Sequence, residues 1–333
     1  MSRIADAESP ARQSRRRIGT SALEVFPLAI SGNVFGWTAN TTDTSDVLDA
    51  YFELGGNFVD TANAYAGGRS EVMIGNWMRD RRNRDRIVVA PKVGKGADSP
   101  GVGQKALTAA VTASLERLGT DHIDLLYLHV DDKNVPFEET LLAVDALIGA
   151  GKVRYFGASD HTENRLVEAR IITAQLGAAP MTALQNHYNL MHRHEFEGSL
   201  ARVAAGQGLG VMPRFALASG FLSGKYRTRA DLGTRQRGSE AAGYLNKRGL
   251  RILAALDQVA AEHQAVPATI ALAWLLSKPR VVAPVVSASR AGQVPELMAA
   301  ACIQLTRSQV AELDRVSAEG PRAPAQVSRP SRP

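Results

Sequence analysis

Four side chains of this 333-residue chain, Asp60, Tyr65, Lys92 and His129, have types and spacing that suit one chemistry. Asp60 closes the run Asn57-Phe58-Val59-Asp60, and Tyr65 follows in Thr61-Ala62-Asn63-Ala64-Tyr65. Lys92 closes Ile87-Val88-Val89-Ala90-Pro91-Lys92, and His129 closes Ile123-Asp124-Leu125-Leu126-Tyr127-Leu128-His129. A phenol with a pKa near ~10 is a poor acid at neutral pH until a nearby cation lowers that value. Lys92 is suited to supply the cation, Asp60 to hold Lys92 charged and in place, and His129 to hydrogen-bond the reacting oxygen. Together they would make an acid for a carbonyl, needing only a hydride. Singly each has a plainer use, as a capping Asp, a rim Tyr or a salt-bridged Lys. Their joint placement at the ends of successive apolar runs favours the chemical one.

Apolar runs of this length alternating with amphipathic helices read as buried parallel strands. Strands are expected at 28–32, 57–60, 87–92, 123–129, 153–158, 182–187, 210–213 and 281–286. Helical patterns fall between or after them at 45–54, 70–80, 104–118, 138–150, 162–176, 194–206, 247–263 with 267–277, and 292–300. Thr44 and Ser70 read as N-caps of the first two helices, and Gly55, Gly119 and Gly151 as helix stops. Strict alternation of eight such units implies an α/β fold, a (β/α)8 TIM barrel, with catalytic groups at the C-terminal ends of its strands. Residues 17–28 would form a short hairpin ahead of it. A basic tail at 1–17 and a Pro-rich tail at 321–333 are expected to be disordered, leaving one domain over 18–320. The segment 219–246, after the seventh strand, has five glycines up to Gly243, a basic cluster from Lys225 to Arg237 and no apolar period. It reads as a lid over a phosphate-bearing ligand.

Composition narrows the classes. Hydrophobic content of 45% with 22% charged residues is that of a soluble globular protein. No apolar stretch approaches the ~20 residues of a membrane span, and no signal core opens the chain. The single cysteine, Cys302, fits a reducing cytoplasm and reads as a small core residue. The net charge of +6 is concentrated in the two tails and the 225–237 cluster, without interleaved aromatics, which disfavours a nucleic-acid partner. Gly101-Val102-Gly103-Gln104-Lys105-Ala106 follows Asp98-Ser99-Pro100 where a strand should be, so it is no dinucleotide loop. His192-Arg193-His194-Glu195 follows the sixth strand and reads as a helix start, so no metal site is expected.

These segments carry a resemblance. Gly56-Asn57-Phe58-Val59-Asp60 through Tyr65 to Glu71, Pro91-Lys92-Val93-Gly94, and Asp124 to Asp131 around His129 look like successive signatures of the aldo-keto reductases. Gly151 to Ser159, Leu184 to Asn189, Ala218 to Tyr226 and Ala283 to Arg290 continue the series. The match runs in order from about Gly19 to Leu313 and most resembles the prokaryotic branch related to potassium-channel β-subunits. The resemblance implies carbonyl reduction with NADPH, Tyr65 protonating the carbonyl oxygen, Asp60 and Lys92 tuning it and His129 orienting the substrate. It further implies that Ser159 and Gln185 hold the nicotinamide carboxamide and Lys225 wraps the pyrophosphate. Ser289, Arg290 and Gln293 would contact the 2′-phosphate, and Glu296 the adenine. Two positions depart from the family pattern. Asp160 stands where Asn is usual, and Arg214 where Tyr or Trp stacks on the nicotinamide; pairing of Arg214 with Asp160 is expected to link the two changes. Phe35, Trp37, Tyr65 and Phe215 are expected to give the substrate pocket aromatic walls. Leu297 replaces a common adenine-contacting Asn. The same resemblance leaves open a second role, a cofactor-binding redox sensor with slow residual activity. Oligomeric state and physiological substrate are not legible.

Overall fold

The structure is a computed structural model describing residues 15–233 and 236–319. The expected tails therefore lie outside the described residues, except Arg15 to Arg17. Of these, Arg16–Arg17 (β1) already pairs antiparallel with Glu24–Val25 (β2), so the hairpin starts inside the stretch expected as tail.

Eight parallel strands follow: β3 (Ala29–Ser31), β4 (Phe58–Ala62), β5 (Val88–Val93), β6 (Ile123–Leu128), β7 (Val153–Ser159), β8 (Ala183–Gln185), β9 (Gly210–Val211) and β10 (Val285–Val286). The sheet order is β10-β3-β4-β5-β6-β7-β8-β9. Val282 N–H donates to Val211 O at 2.8 Å and Val285 N–H to Pro213 O at 2.8 Å, joining the two ends into a ring. The expected barrel is present.

The two-residue period of a strand sorts its side chains. Phe58, Val88, Ala90, Leu125, Tyr127 and Ala183 form an inner cluster with Ile18, Leu23 and Val25 of the hairpin, which fills one end of the barrel. Val59, Val89, Leu126 and Leu184 belong to the larger layer between sheet and helices. Each such side chain contributes about 1.5–3 kcal/mol of hydrophobic burial. Between β7 and β8 the backbones approach closely, for a Cβ on Gly157 would meet Ala183 O at 2.4 Å.

The helices are α1 (Thr41–Glu53), α2 (Arg69–Arg81), α3 (Gln104–Leu118), α4 (Phe137–Gly149), α5 (Glu163–Leu176), α6 (Ser199–Gly206), α7 (Ala230–Gly233), α8 (Gly238–Ala242), α9 (Lys247–Glu262), α10 (Pro267–Leu276), α11 (Val294–Met298) and α12 (Arg307–Ser317). Several boundaries differ from expectation. The cap of α1 is Asn40, whose side chain accepts from Asp43 N–H at 2.9 Å, and Thr44 is buried inside the helix. Ser70 lies within α2 and bonds Thr61 Oγ1 at 2.9 Å and Gly32 O at 2.8 Å. The helix expected from 194 begins only at Ser199, because Gly198, with φ of 111°, interrupts the helical backbone directly ahead of it. Cys302 is exposed, against the expectation of burial, since the turn after α11 points it outward. Among the described residues, no single helix is long and apolar enough to cross a membrane.

Candidate active site

Strand parity brings the polar residues together. Register sets Asp60 beside Ser31 and Gln185 beside Ser159. Asp60 continues the inner parity of Phe58, Lys92 that of Val88 and Ala90, and His129 that of Leu125 and Tyr127. Lys92 Nζ donates to both Asp60 oxygens at 2.7 Å, Gln185 Nε2 to Oδ2 at 2.8 Å and Ser31 Oγ to Oδ1 at 3.0 Å. Lys92 and Asp60 are each 1% exposed. A charge pair so far from water persists only when its lone pairs and protons are satisfied, as they are here.

Tyr65 arrives from a turn rather than a strand. Ala66, Gly67 and Gly68 follow it with φ of 51°, 63° and 85°, a left-handed run that glycine tolerates best. A Cβ on Gly68 would also meet Arg117 Cδ at 2.9 Å. Arg117 in turn donates to the fully buried Glu71 at 2.7 Å, pinning α2 to α3 behind the turn. The result sets the Lys92 ammonium 4.9 Å from the Tyr65 ring centroid, and the Tyr65 and His129 rings 6.3 Å apart at 89°.

Burial sets the charges. It would lower the Lys92 pKa, but Asp60 and Tyr65 outweigh it and Lys92 stays above its ordinary value. For Tyr65 burial is the largest influence and raises the pKa; Lys92 pulls it down, Asp60 pushes it up, and the sum is a raised value. The expected acidification therefore holds for the direction of the Lys92 effect and not for the total. His129 falls to about 3, through burial and then Lys92, Lys95 and Arg214, so it is neutral at physiological pH.

A cavity of about 940 Å³ opens above this group. Asp60, Tyr65, Lys92, His129, Asp160, Gln185, Arg214, Lys225, Ser289, Arg290, Gln293, Glu296 and Leu297 all line it. Ser159 is 1% exposed and lies behind that wall, its Oγ buried without a partner. Arg214 meets Asp160 in a two-point ion pair, Nε–Oδ1 2.9 Å and Nη2–Oδ2 2.7 Å. Asp160 has φ of 57°, a left-handed backbone that Asn and Asp accept more readily than other side chains. The Gln293 side chain accepts from Ser289 and Arg290 N–H at 2.9 and 3.2 Å, shaping the turn ahead of α11.

Two expected wall residues are elsewhere. Phe35 is fully buried beneath the rim, and Trp37, 57% exposed, lies outside the cavity lining with the Arg237 guanidinium 5.9 Å from its ring. The other two, Tyr65 and Phe215, line the cavity, and Phe215 is 43% exposed. The segment after β9 is better anchored than its sequence suggests. Phe221, Leu222 and Tyr226 are buried in the core, and Arg227 grips Asp257 of α9 with two contacts of 2.7 Å. Lys225, Tyr226, Gln236 and Arg237 from this segment line the cavity. Ser31 and Lys95 were not anticipated; a polar residue on inner parity at the tip of β3 was the available signal for the first. Among the described residues no three His, Cys, Asp or Glu side chains are grouped to hold a metal ion. His192 and His194 instead lie 2.8 and 2.6 Å from Glu195 and Glu319.

Residues 27–318 match the model of the aldo/keto reductase family. The chain is 30% identical to a norsolorinic acid reductase of Aspergillus flavus, over 92% of its own length and 82% of the relative's. It is 30% identical to an aryl-alcohol dehydrogenase of Pestalotiopsis microspora, covering 89% and 80%. A probable voltage-gated potassium channel subunit beta of Arabidopsis thaliana is also 30% identical, covering 93% and 98%.

Proposed function

The chain belongs to the aldo/keto reductase family, and we propose that it reduces aldehydes or ketones, aryl carbonyls among them, with NADPH and with Tyr65 as the proton donor. The observation that carries this is the fully buried Asp60–Lys92 pair, its ammonium held against Tyr65 at the floor of a large cavity. Tyr65 stays protonated throughout the neutral range, so a proton is always available. When the hydroxyl gives it to a carbonyl oxygen, the adjacent Lys92 ammonium stabilises the phenolate left behind. Neutral His129 can hydrogen-bond the same oxygen and fix its approach.

The residues fit a phosphorylated dinucleotide. Lys225, Ser289 and Arg290 supply cationic and hydroxyl groups to the cavity, and Arg290 precedes a helical turn, where anions are favoured. The buried, unpartnered Ser159 Oγ and the Gln185 amide sit side by side as hydrogen-bonding groups for a carboxamide. When bound, the cofactor supplies the hydride. A panel of aryl aldehydes and ketones, with NADPH consumption followed by absorbance and the alcohol identified, tests the reading. No alcohol from any of them would refute it.

The near-complete coverage of the plant channel-subunit relative favours a second reading, a cofactor-bound redox sensor that turns over slowly. Stopped-flow hydride transfer to an activated aryl aldehyde separates the two. A transfer step far slower than cofactor exchange supports the sensor.

A further inference from the structure

The cations that share the cavity with Tyr65 and His129 are not equally compensated. Lys92 is neutralised by Asp60, and Arg214 by Asp160. Lys95, exposed on the loop between β5 and α3, lines the same cavity and among the described residues makes no ion pair. That loop is held in place by the Gly101 N–H bond to Gly94 O at 2.9 Å, which fixes the backbone from which Lys95 projects, three residues beyond Lys92. After burial, Lys92, then Lys95 and Arg214 act on His129, so Lys95 is close enough to be felt where a carbonyl would bind, and unlike the other two it has no paired carboxylate among the described residues. Phe215 offers a flat apolar surface on the wall next to Arg214. With Lys225 and Arg290 assigned above to the cofactor's phosphates, and the Arg237 guanidinium drawn toward the Trp37 ring outside the lining, Lys95 is the cation placed for a substrate.

We propose that the pocket selects aryl carbonyl substrates bearing a carboxylate, with Lys95 as the residue that recognises the anion. This rests on the reductase reading and names its substrate class. An exposed ammonium–carboxylate contact gives at most about five-fold in affinity, and added salt weakens it. The test compares para-carboxybenzaldehyde with its neutral near-isostere, methyl para-formylbenzoate, using NADPH and the wild-type, Lys95→Glu and Lys95→Arg proteins. The acid-to-ester ratio of kcat/KM should fall about five-fold in Lys95→Glu, through KM for the acid. It should persist in Lys95→Arg and shrink with salt in the wild type. Reduction of the ester with a ratio that ignores Lys95→Glu overturns this proposal alone. Absence of NADPH oxidation with both compounds overturns the reductase reading and this proposal with it.

Discussion

Two carboxylate–cation pairs share one cavity and are built in opposite ways. Asp60–Lys92 is withdrawn from water, each side chain 1% exposed, and Asp60 accepts further bonds from Ser31 and Gln185. Asp160–Arg214 sits at the rim with side-chain exposures of 37% and 27%. Taking two ions out of water costs several kcal/mol each, so the buried pair survives only as part of a satisfied network. An exposed pair is worth about 0–1 kcal/mol and can rearrange. The contrast suggests a division of labour: the inner pair fixes a charge for chemistry, and the outer pair adjusts what the rim receives.

Breaking the inner pair should have the largest effect. Asp60→Asn leaves the Lys92 ammonium buried without its counter-ion and should cost about 3–5 kcal/mol of stability in urea unfolding, with turnover falling as Lys92 loses its proton. A loss below about 1 kcal/mol would erase the distinction between the pairs. Breaking the outer pair should be mild for the fold. Arg214→Tyr should change stability by under about 1 kcal/mol yet weaken NADPH binding about five-fold in a fluorescence titration, because Asp160 is left unpaired beside the berth. Adding Asp160→Asn should restore the affinity; independent, additive effects would separate the two residues.

A further effect is expected in pH dependence. His129 titrates at about 3 in the folded chain against 6.5 ordinarily, so the unfolded chain takes up a proton that the folded one refuses. Stability from this source is present above 6.5 and is lost as pH falls toward 3. His187, lowered to about 4 by burial and then by His192 and Arg214, acts in the same direction. His129→Gln should make the acid decline shallower without removing it, and an unchanged slope in denaturant unfolding would show that His129 is not the refusing group.

Much of the barrel was legible because strand runs and their terminal polar residues are local features. Asp60, Lys92 and His129 lie where the runs end, and parity alone carries them inward. What was not legible depended on contacts distant in sequence. Ser70 looked like a cap, but its hydroxyl goes to Gly32, on a loop 38 residues away. Phe35 and Trp37 are two residues apart, yet one is core and the other solvent-exposed, because the loop turns between them. Helix α12 carried a readable signal, the capping box of Thr306 and Gln309, which lies beyond the last strand and outside the repeating pattern. The phenol's raised pKa could not come from counting charges, since the deciding quantity is burial.

The central claim is that the Tyr65 hydroxyl, set beside the Lys92 ammonium, delivers the proton in carbonyl reduction. Single-turnover reduction of an aryl aldehyde by NADPH-loaded Tyr65→Phe, with cofactor affinity measured on the same preparation, tests it most directly. Affinity should stay within about two-fold while the transfer step slows by about 10²–10⁴-fold. A variant that binds NADPH normally and reduces the aldehyde at the wild-type rate would contradict the account.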